Sequence, residues 1–595
     1  MAQKTVRALI LSPGAAAGPV FRDSSVSASC GENVLANRKD IPEAERDAER
    51  ELLFDALDRA AADLLRLAER VRSELGSVLG TDKAEIFKGH ADILQDDDFR
   101  NDMARLVADG YSAQCAALAV AESNALDMEA LDDEYFRERS SDFRELGRKV
   151  ADCASAIRFG SSGASGSAAC LCGPVPPVPS IVVAEELSPA RTVQYHVPNV
   201  LGFIVSKGGA NSHAAILSRS LGIPAAVVPI GDLALFQSGA MAAINADPDT
   251  ATAEPDEEAV SRARSAALAA SLRKERLAKL RDFPAATSCG HRIGLFANVG
   301  GMKDLPAAAA EKADGIGLFR TEFLFMEETS FPDEQKQAAF YRQALETLRG
   351  KPVIFRLLDI GGDKPLPYDP QPPEANPFLG VRGIRYLLAR PELLASQIRA
   401  LLLASAASGQ TVRIMVPMVC LPSEMKAVRE IAAAEERRTG GHAAIGMMVE
   451  TPAVAMSVRA YSGLSEFISI GTNDLTQYSL AVDREHDRLA GIYDEFHPGV
   501  LSLMAKACAD ARHSGMETGV CGEFASRPEA AVLLAAMGFD ELSMRASAIA
   551  SVKEAIRSCT MREAGALLER ALAESEAEGA RTLARAFLAE RGLGG

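Results

Sequence analysis

Five short apolar runs in the second half of the chain each end on a polar or reactive side chain. Arg320 closes GIGLFRTEF, Arg356 and Asp359 fall in FRLLDIGGDK, Glu450 closes GMMVETP, Asn473 and Asp474 follow SIGT, and Cys521 sits in TGVCGE. A guanidinium fork pairs two oxygens at once, so Arg320, Arg356 and a third arginine, Arg484 in AVDR, suit a small ligand carrying both carboxylate and phosphate. Two carboxylates at one mouth repel unless a cation lies between them. Glu450 and Asp474 therefore read as ligands for Mg2+, which typically takes one or two protein carboxylates and leaves its other positions to water and substrate phosphate. A buried cysteine is usually a small hydrophobe. Cys521, directly before Gly522 and Glu523 on an arginine-bearing rim, is instead placed to hand a proton to the enolate carbon left when a phosphate departs.

A second constellation lies in KGGANSHAAILSRSLGIPAA, residues 207–226. Gly208 and Gly209 allow a tight turn, Asn211 or Ser212 can cap a helix, and His213 then falls in its first turn. Backbone N–H groups and the positive end of the helix dipole gather there and stabilise a phosphate carried on the imidazole. A lone histidine at a helix start is more often a structural cap.

These positions need strands to hold them. Candidate strands run over 293–298, 315–319, 353–359, 413–418, 445–450, 467–472, 517–521 and 541–544, with helical patterns between them. Eight strands alternating with helices predict a closed (β/α)8 barrel, whose chemistry gathers at the C-terminal ends of its strands. The polar residues named above fall at those ends.

The first half is organised differently. Residues 6–21 read as short strands, and from Pro42 an apolar stripe of Leu53, Leu57, Ala60, Leu64, Leu67, Val71 and Leu75 predicts a long helix. More helical signal follows to about residue 158. Strands at 181–184, 200–205 and 225–228, with a helix from Ser212, predict a small α/β unit into which that helical segment is inserted. The expected divisions are 1–41 with 159–254 for the histidine-bearing α/β domain, 42–158 for the helical insert, 255–284 for a linker helix and 285–595 for the barrel.

Bulk properties agree with this organisation. A length of 595 residues exceeds what one core usually supports. A net charge of −17 argues against a nucleic-acid partner and favours a basic one, and residues 81–150 alone hold 17 acids against 9 bases. The ten cysteines form neither a disulfide framework nor a zinc pattern. No apolar run reaches the roughly 18 residues of a membrane span, and a reducing cytoplasm is the expected compartment.

The strings RTEF, DIGGDK, NPFLGVR, VETP, GTNDLTQY and CGE, together with GG-x-x-SHAAI, strongly resemble Enzyme I of the bacterial phosphotransferase system, over essentially the whole length. The resemblance implies that phosphoenolpyruvate phosphorylates His213, which then passes the phosphoryl group to the carrier HPr. It implies that Arg320, Arg356, Asn473, Asp474 and Arg484 contact phosphoenolpyruvate, that Glu450 and Asp474 bind Mg2+, and that Cys521 is the proton donor to the nascent pyruvate. It further implies HPr docking on the helical insert and a homodimer formed through the barrel. One departure stands out: relatives usually read GGRTSH, whereas Ala210 and Asn211 stand here in place of arginine and threonine. Loss of that arginine removes a charge that would neutralise the phosphate, for which the helix terminus and a hydroxyl such as Ser188 partly substitute. The related pyruvate dikinases need a further nucleotide-binding domain, for which the chain has no room and no G-x-x-x-x-G-K-[ST] pattern.

Overall fold

The computed structural model describes residues 4–23, 41–74, 82–130, 140–159, 175–187, 189–209, 212–246, 249–326, 328–362, 364, 366–372, 374–484, 486–489 and 491–593. These form two compact units, Met1–Arg273 and Lys274–Gly595.

In the first unit, three short strands, β1 (Lys4–Arg7), β2 (Leu9–Ser12) and β3 (Ala16–Arg22), precede a run of helices. The helices are α1 (Arg46–Glu74), α2 (Asp82–Gln95), α3 (Asp97–Ala108), α4 (Ala113–Glu129) and α5 (Ser140–Phe159). Helix α1 buries the stripe read from the sequence, Leu53 through Val71, while Leu75 lies outside the described residues. Asp96 caps α3 through the Asp98 and Phe99 amides, and Ser112 caps α4 through Cys115.

The chain then returns to the sheet through β4 (Ser180–Ala184), α6 (Pro189–Gln194), β5 (Val200–Val205), α7 (His213–Leu221), β6 (Ala225–Val227), β7 (Met241–Ala246) and β8 (Asp249–Ala253). Sheet order is β1-β8-β7-β3-β4-β5-β6-β2, with β3 to β6 parallel and the outer pairs antiparallel. Alternate residues face opposite sides. Val182 and Phe203 share a core with Leu57, Phe87 and Met103 of the helical insert, while Ile181, Val183 and Ile204 pack with Ile244 and Ala251. The sequence reading lacks β7 and β8, whose alanine and threonine content carries little strand signal and whose pairing comes from the sheet around them.

Helix α8 (Glu257–Leu280) leads into the second unit. There β9 (Gly294–Val299), β10 (Ile316–Arg320), β11 (Val353–Arg356), β12 (Val412–Val416), β13 (Ala443–Val449), β14 (Phe467–Ile470), β15 (Glu517–Val520) and β16 (Glu541–Met544) form a closed, all-parallel barrel. Closure comes from β16 on β9, with Glu541 opposite Gly294 and Met544 opposite Ala297. One apolar shell lies between strands and helices, and a small inner cluster of Leu318, Ile354, Met415, Met448, Phe467 and Cys521 fills the barrel. Strand β11 stops at Arg356 rather than Asp359: the Leu357 amide still reaches Met415 O at 2.9 Å, but the two amides after it are taken by side chains. Leu358 N–H donates to Gln397 Oε1 at 3.1 Å and Asp359 N–H to Glu322 Oε1 at 2.9 Å.

Candidate active site

The C-terminal ends of the barrel strands hold a dense ionic network. Arg356, at the end of β11, places Nη2 2.8 Å from Glu322 Oε1 and Nη1 3.1 Å from Asp359 Oδ2. Arg382, with no exposed surface, meets the same aspartate in a fork, Nε to Oδ1 and Nη2 to Oδ2, both at 2.9 Å. Its other contacts reach both oxygens of Asp474 at 3.4 Å. Lys364 Nζ adds a third cation 3.1 Å from Asp359 Oδ2. Burial alone would raise the Asp359 carboxyl, but Arg356, Arg382 and Lys364 hold it well below the usual range.

Another carboxylate of the mouth behaves in the opposite way. Glu450 follows β13 with 1% exposure, accepts the Met418 N–H at 2.7 Å, and is pressed against by the backbone of Gly471, where a Cβ would lie 2.7 Å from its Cγ. Burial, then the charges of Asp474 and Asp359, push its carboxyl up to about 8 against the pull of Arg382 and Arg356. Among the described residues no cluster of three or more histidine, cysteine, aspartate or glutamate side chains gathers for a metal, and the carboxylates that the sequence reading named for a cation are Glu450 and Asp474. The pair fits a hard divalent ion that keeps most of its ligands from water and substrate: both donors are oxygens, and Glu450 carries repulsion that a cation would relieve.

Around this pair stand the remaining groups. Arg484 lies 3.8 Å from Asp474 with its guanidinium over the Phe378 ring. Asn473 is oriented from two sides, its Oδ1 accepting the Glu523 N–H at 3.3 Å and its carbonyl accepting the Tyr493 hydroxyl at 3.1 Å. Below them, Thr472 donates to buried Glu495 at 2.7 Å and fills the space where a Cβ on Gly522 would sit. Arg320 ends β10 opposite Arg356 and is half-buried; it has no hydrogen-bond or ion-pair partner among the described residues, which leaves its guanidinium open to an anion.

Cys521 is 3% exposed and belongs to the inner apolar cluster. Burial pushes its thiol up to about 12, against a contact from Ser469 that lowers it, so the sulfur keeps its proton at neutral pH.

The barrel end thus brings together Arg320, Arg356, Glu450, Asn473, Asp474, Arg484 and Cys521. It adds Glu322, Lys364 and Arg382, to which the sequence reading gave no role, although Lys364 and Arg382 stand in DIGGDK and NPFLGVR. His213 belongs to the other compact unit. It is the first residue of α7, whose cap Ser212 accepts the Ala215 N–H at 3.3 Å. The preceding turn has Gly208 at φ +118°, a conformation open to glycine, and closes with Ser212 N–H on Gly209 O at 3.0 Å. Ser188, Ala210 and Asn211 lie outside the described residues.

A parallel barrel with arginines and carboxylates at its mouth, joined to a histidine-bearing α/β unit, is the architecture of a phosphoenolpyruvate-utilising enzyme. Family models bear this out along the chain: residues 7–139 match the N-terminal domain of PEP-utilising enzymes, 176–248 the mobile domain and 274–561 the PEP-binding domain. The phosphoenolpyruvate-protein phosphotransferase of Haemophilus influenzae is 35% identical over 571 residues, covering 94% of this chain and 96% of its own. That of Staphylococcus carnosus is 35% identical with 88% and 90% covered, and that of Bacillus subtilis 33% identical with 92% and 94% covered. The chain belongs to the phosphoenolpyruvate-protein phosphotransferase family.

Proposed function

We propose that this chain takes the phosphoryl group of phosphoenolpyruvate onto His213 and passes it to the carrier protein HPr, the first step of a phosphotransferase system. The observation that carries the reading is the barrel mouth, where an arginine with no side-chain partner among the described residues, a carboxylate pair and a protonated thiol share one rim. Arg320, Arg356 and Arg484 hold the anionic substrate, and Asn473 orients it. Glu450 and Asp474 would hold Mg2+, which supplies charge neutralisation on the phosphate when bound. His213 attacks the phosphorus in line, with positioning and electrostatics giving most of the rate. Cys521 then gives its proton to the enolate carbon, and pyruvate leaves.

His213 and the rim belong to different compact units, and the reading has the histidine delivered to the rim and then turned to the carrier by domain motion. The functional division follows as 1–41 with 159–254 for the phosphohistidine domain, 42–158 for HPr docking, 255–284 for the linker and 285–595 for catalysis and dimerisation. The acidic surplus of residues 81–150 suits a basic carrier. A homodimer through the barrel is supported by exposed Phe323, Met326, Leu379, Val381, Leu421 and Met456, which stand on the segments following four consecutive barrel strands. Among the described residues no helix is long and apolar enough to cross a membrane, and we assign the protein to the cytoplasm.

The test is incubation of the full chain with phosphoenolpyruvate labelled on phosphorus, Mg2+ and purified HPr. The chain acquires an acid-labile label, His213→Ala abolishes it, and the label moves to HPr. Equal labelling of parent and variant sinks the assignment.

A further inference from the structure

Three successive residues of the loop that carries the thiol rest on the turn at the end of β14. Cys521 gives both its N–H, at 3.0 Å, and its S–H, at 3.6 Å, to the carbonyl of Ile470. Gly522 lies flat against Thr472: a Cβ there would stand 1.9 Å from the threonine Oγ1 and 2.7 Å from its backbone nitrogen. Glu523 N–H reaches Asn473 Oδ1 at 3.3 Å. The direction of the thiol and the places of Asn473 and Asp474 are therefore set by one short stretch, residues 470–474, which must itself be held from outside.

That hold comes from the segment before the helix Pro498–His513. Tyr493 gives its hydroxyl to the carbonyl of Asn473 at 3.1 Å, and buried Glu495 accepts the hydroxyl of buried Thr472 at 2.7 Å. The second oxygen of Glu495 faces Nη2 of Arg527, just beyond the thiol loop, at 3.5 Å. A ring closes: Thr472 to Glu495, Glu495 to Arg527, and back through Cys521 to the end of β14. Glu495 serves stability poorly. Burial raises its carboxyl, the Thr472 hydroxyl and Arg527 pull it down, and Glu523 and Asp494 raise it again, with a net rise. An apolar residue of similar volume would fill such a place at no loss of stability. The hydrogen bond of Glu495 runs instead to the turn that carries the chemistry.

We propose that Glu495 is a positioning residue for this reaction: through the Thr472 hydroxyl it fixes the end of β14, and so keeps Asn473 and Asp474 in register with the thiol of Cys521. This rests on the roles given to Asn473, Asp474 and Cys521 above. Phosphoenolpyruvate is small and planar, so the groups that hold its phosphate and the group that protonates its methylene carbon must keep a fixed separation. A misplacement of about 1 Å costs on the order of a hundredfold in rate. Glu495 acts through Thr472 rather than on the substrate. Without its acceptor the Thr472 side chain is free to turn, Gly522 loses the surface it rests on, and the thiol drifts from Ile470.

The test separates positioning from bulk packing. Full-length parent, Glu495→Leu, Glu495→Gln and Thr472→Val are assayed for pyruvate formation from phosphoenolpyruvate with Mg2+ and HPr. Glu495→Leu fills the volume without an acceptor, Thr472→Val keeps the shape without the hydroxyl, and Glu495→Gln keeps an oxygen for Thr472. Glu495→Leu and Thr472→Val should each lower kcat about tenfold or more, and their combination should be no slower than either, because they break one bond. Glu495→Gln should recover to within about threefold of the parent. Without Mg2+ or substrate, alkylation of Cys521 by iodoacetamide, read for each peptide by mass spectrometry, should rise about fivefold or more in Glu495→Leu and Thr472→Val. Buried Cys559 of the same unit should react at its parent rate. Parent-like kcat in Glu495→Leu, Glu495→Gln as slow as Glu495→Leu, or effects that multiply in the double variant overturn the proposal. An equal rise at Cys521 and Cys559 shows general loosening and overturns it as well. Should Glu495→Leu not fold, parent-like kinetics in Thr472→Val overturn it in the same way. A parent that makes no pyruvate defeats the underlying reading instead.

Discussion

Replacing Arg382 by methionine removes a guanidinium with no exposed surface from between Asp359 and Asp474. Asp359 keeps Arg356 and Lys364, each at 3.1 Å, but Asp474 is left with Arg484 at 3.8 Å. Removing one partner of a buried pair leaves an uncompensated charge and costs about 3–5 kcal/mol. A unit of about 300 residues unfolds with an entropy of about 0.6 kcal/mol/K, so the barrel transition should fall by about 5–8 °C. Calorimetry of the full chain measures it directly. Arg320→Met is the control: with no partner among the described residues to abandon, it should move the transition by no more than about 1 °C, in the range of surface substitutions, while weakening phosphoenolpyruvate binding. Adding Asp474→Leu to Arg382→Met should restore part of the loss, because the charge left with only Arg484 goes with it. The reasoning is refuted if Arg382→Met melts within about 1 °C of the parent, or if Arg320→Met falls as far.

Glu541 gives the barrel a pH signature. Its carboxyl sits at about 8 in the fold against 4.5 for the free group, so between these values the native state holds a proton that the unfolded chain has released. Stability from this group is therefore full below 4.5, declines as pH rises to about 8, and is flat above. The Tm of Glu541→Gln relative to the parent should climb across that window, and parallel Tm curves would contradict the assignment. Ala210→Arg should speed His213 phosphorylation or slow phosphohistidine hydrolysis, each measured with labelled phosphoenolpyruvate; unchanged values for both would show that the missing arginine is of no consequence here.

Much of this was written in the chain in readable form. The eight barrel strands are short apolar runs bounded by helical patterns, and the residues that end them, from Arg320 to Cys521, stand where the barrel rule places chemistry. Arg382 was harder to read, because it lies in an irregular stretch after β11 and acquires its meaning only from Asp359 and Asp474, 23 and 92 residues away. Glu322 likewise looks like an ordinary helix-start acid until Arg356 and the Asp359 amide close on it. Glu541 reads as a polar residue opening a strand; that Oε1 is buried depends on Gly317, which belongs to a strand far off in sequence, and no local pattern reports it.

The Arg382 fork has a bearing on how drifted copies of such chains should be read. A descendant that lost its chemistry would still need those charges to stay folded, and would go on carrying a convincing ionic cluster long after the last turnover. Among the described residues Arg320 has no such second duty. Its survival or decay in a lineage is the better witness to whether the enzyme still works.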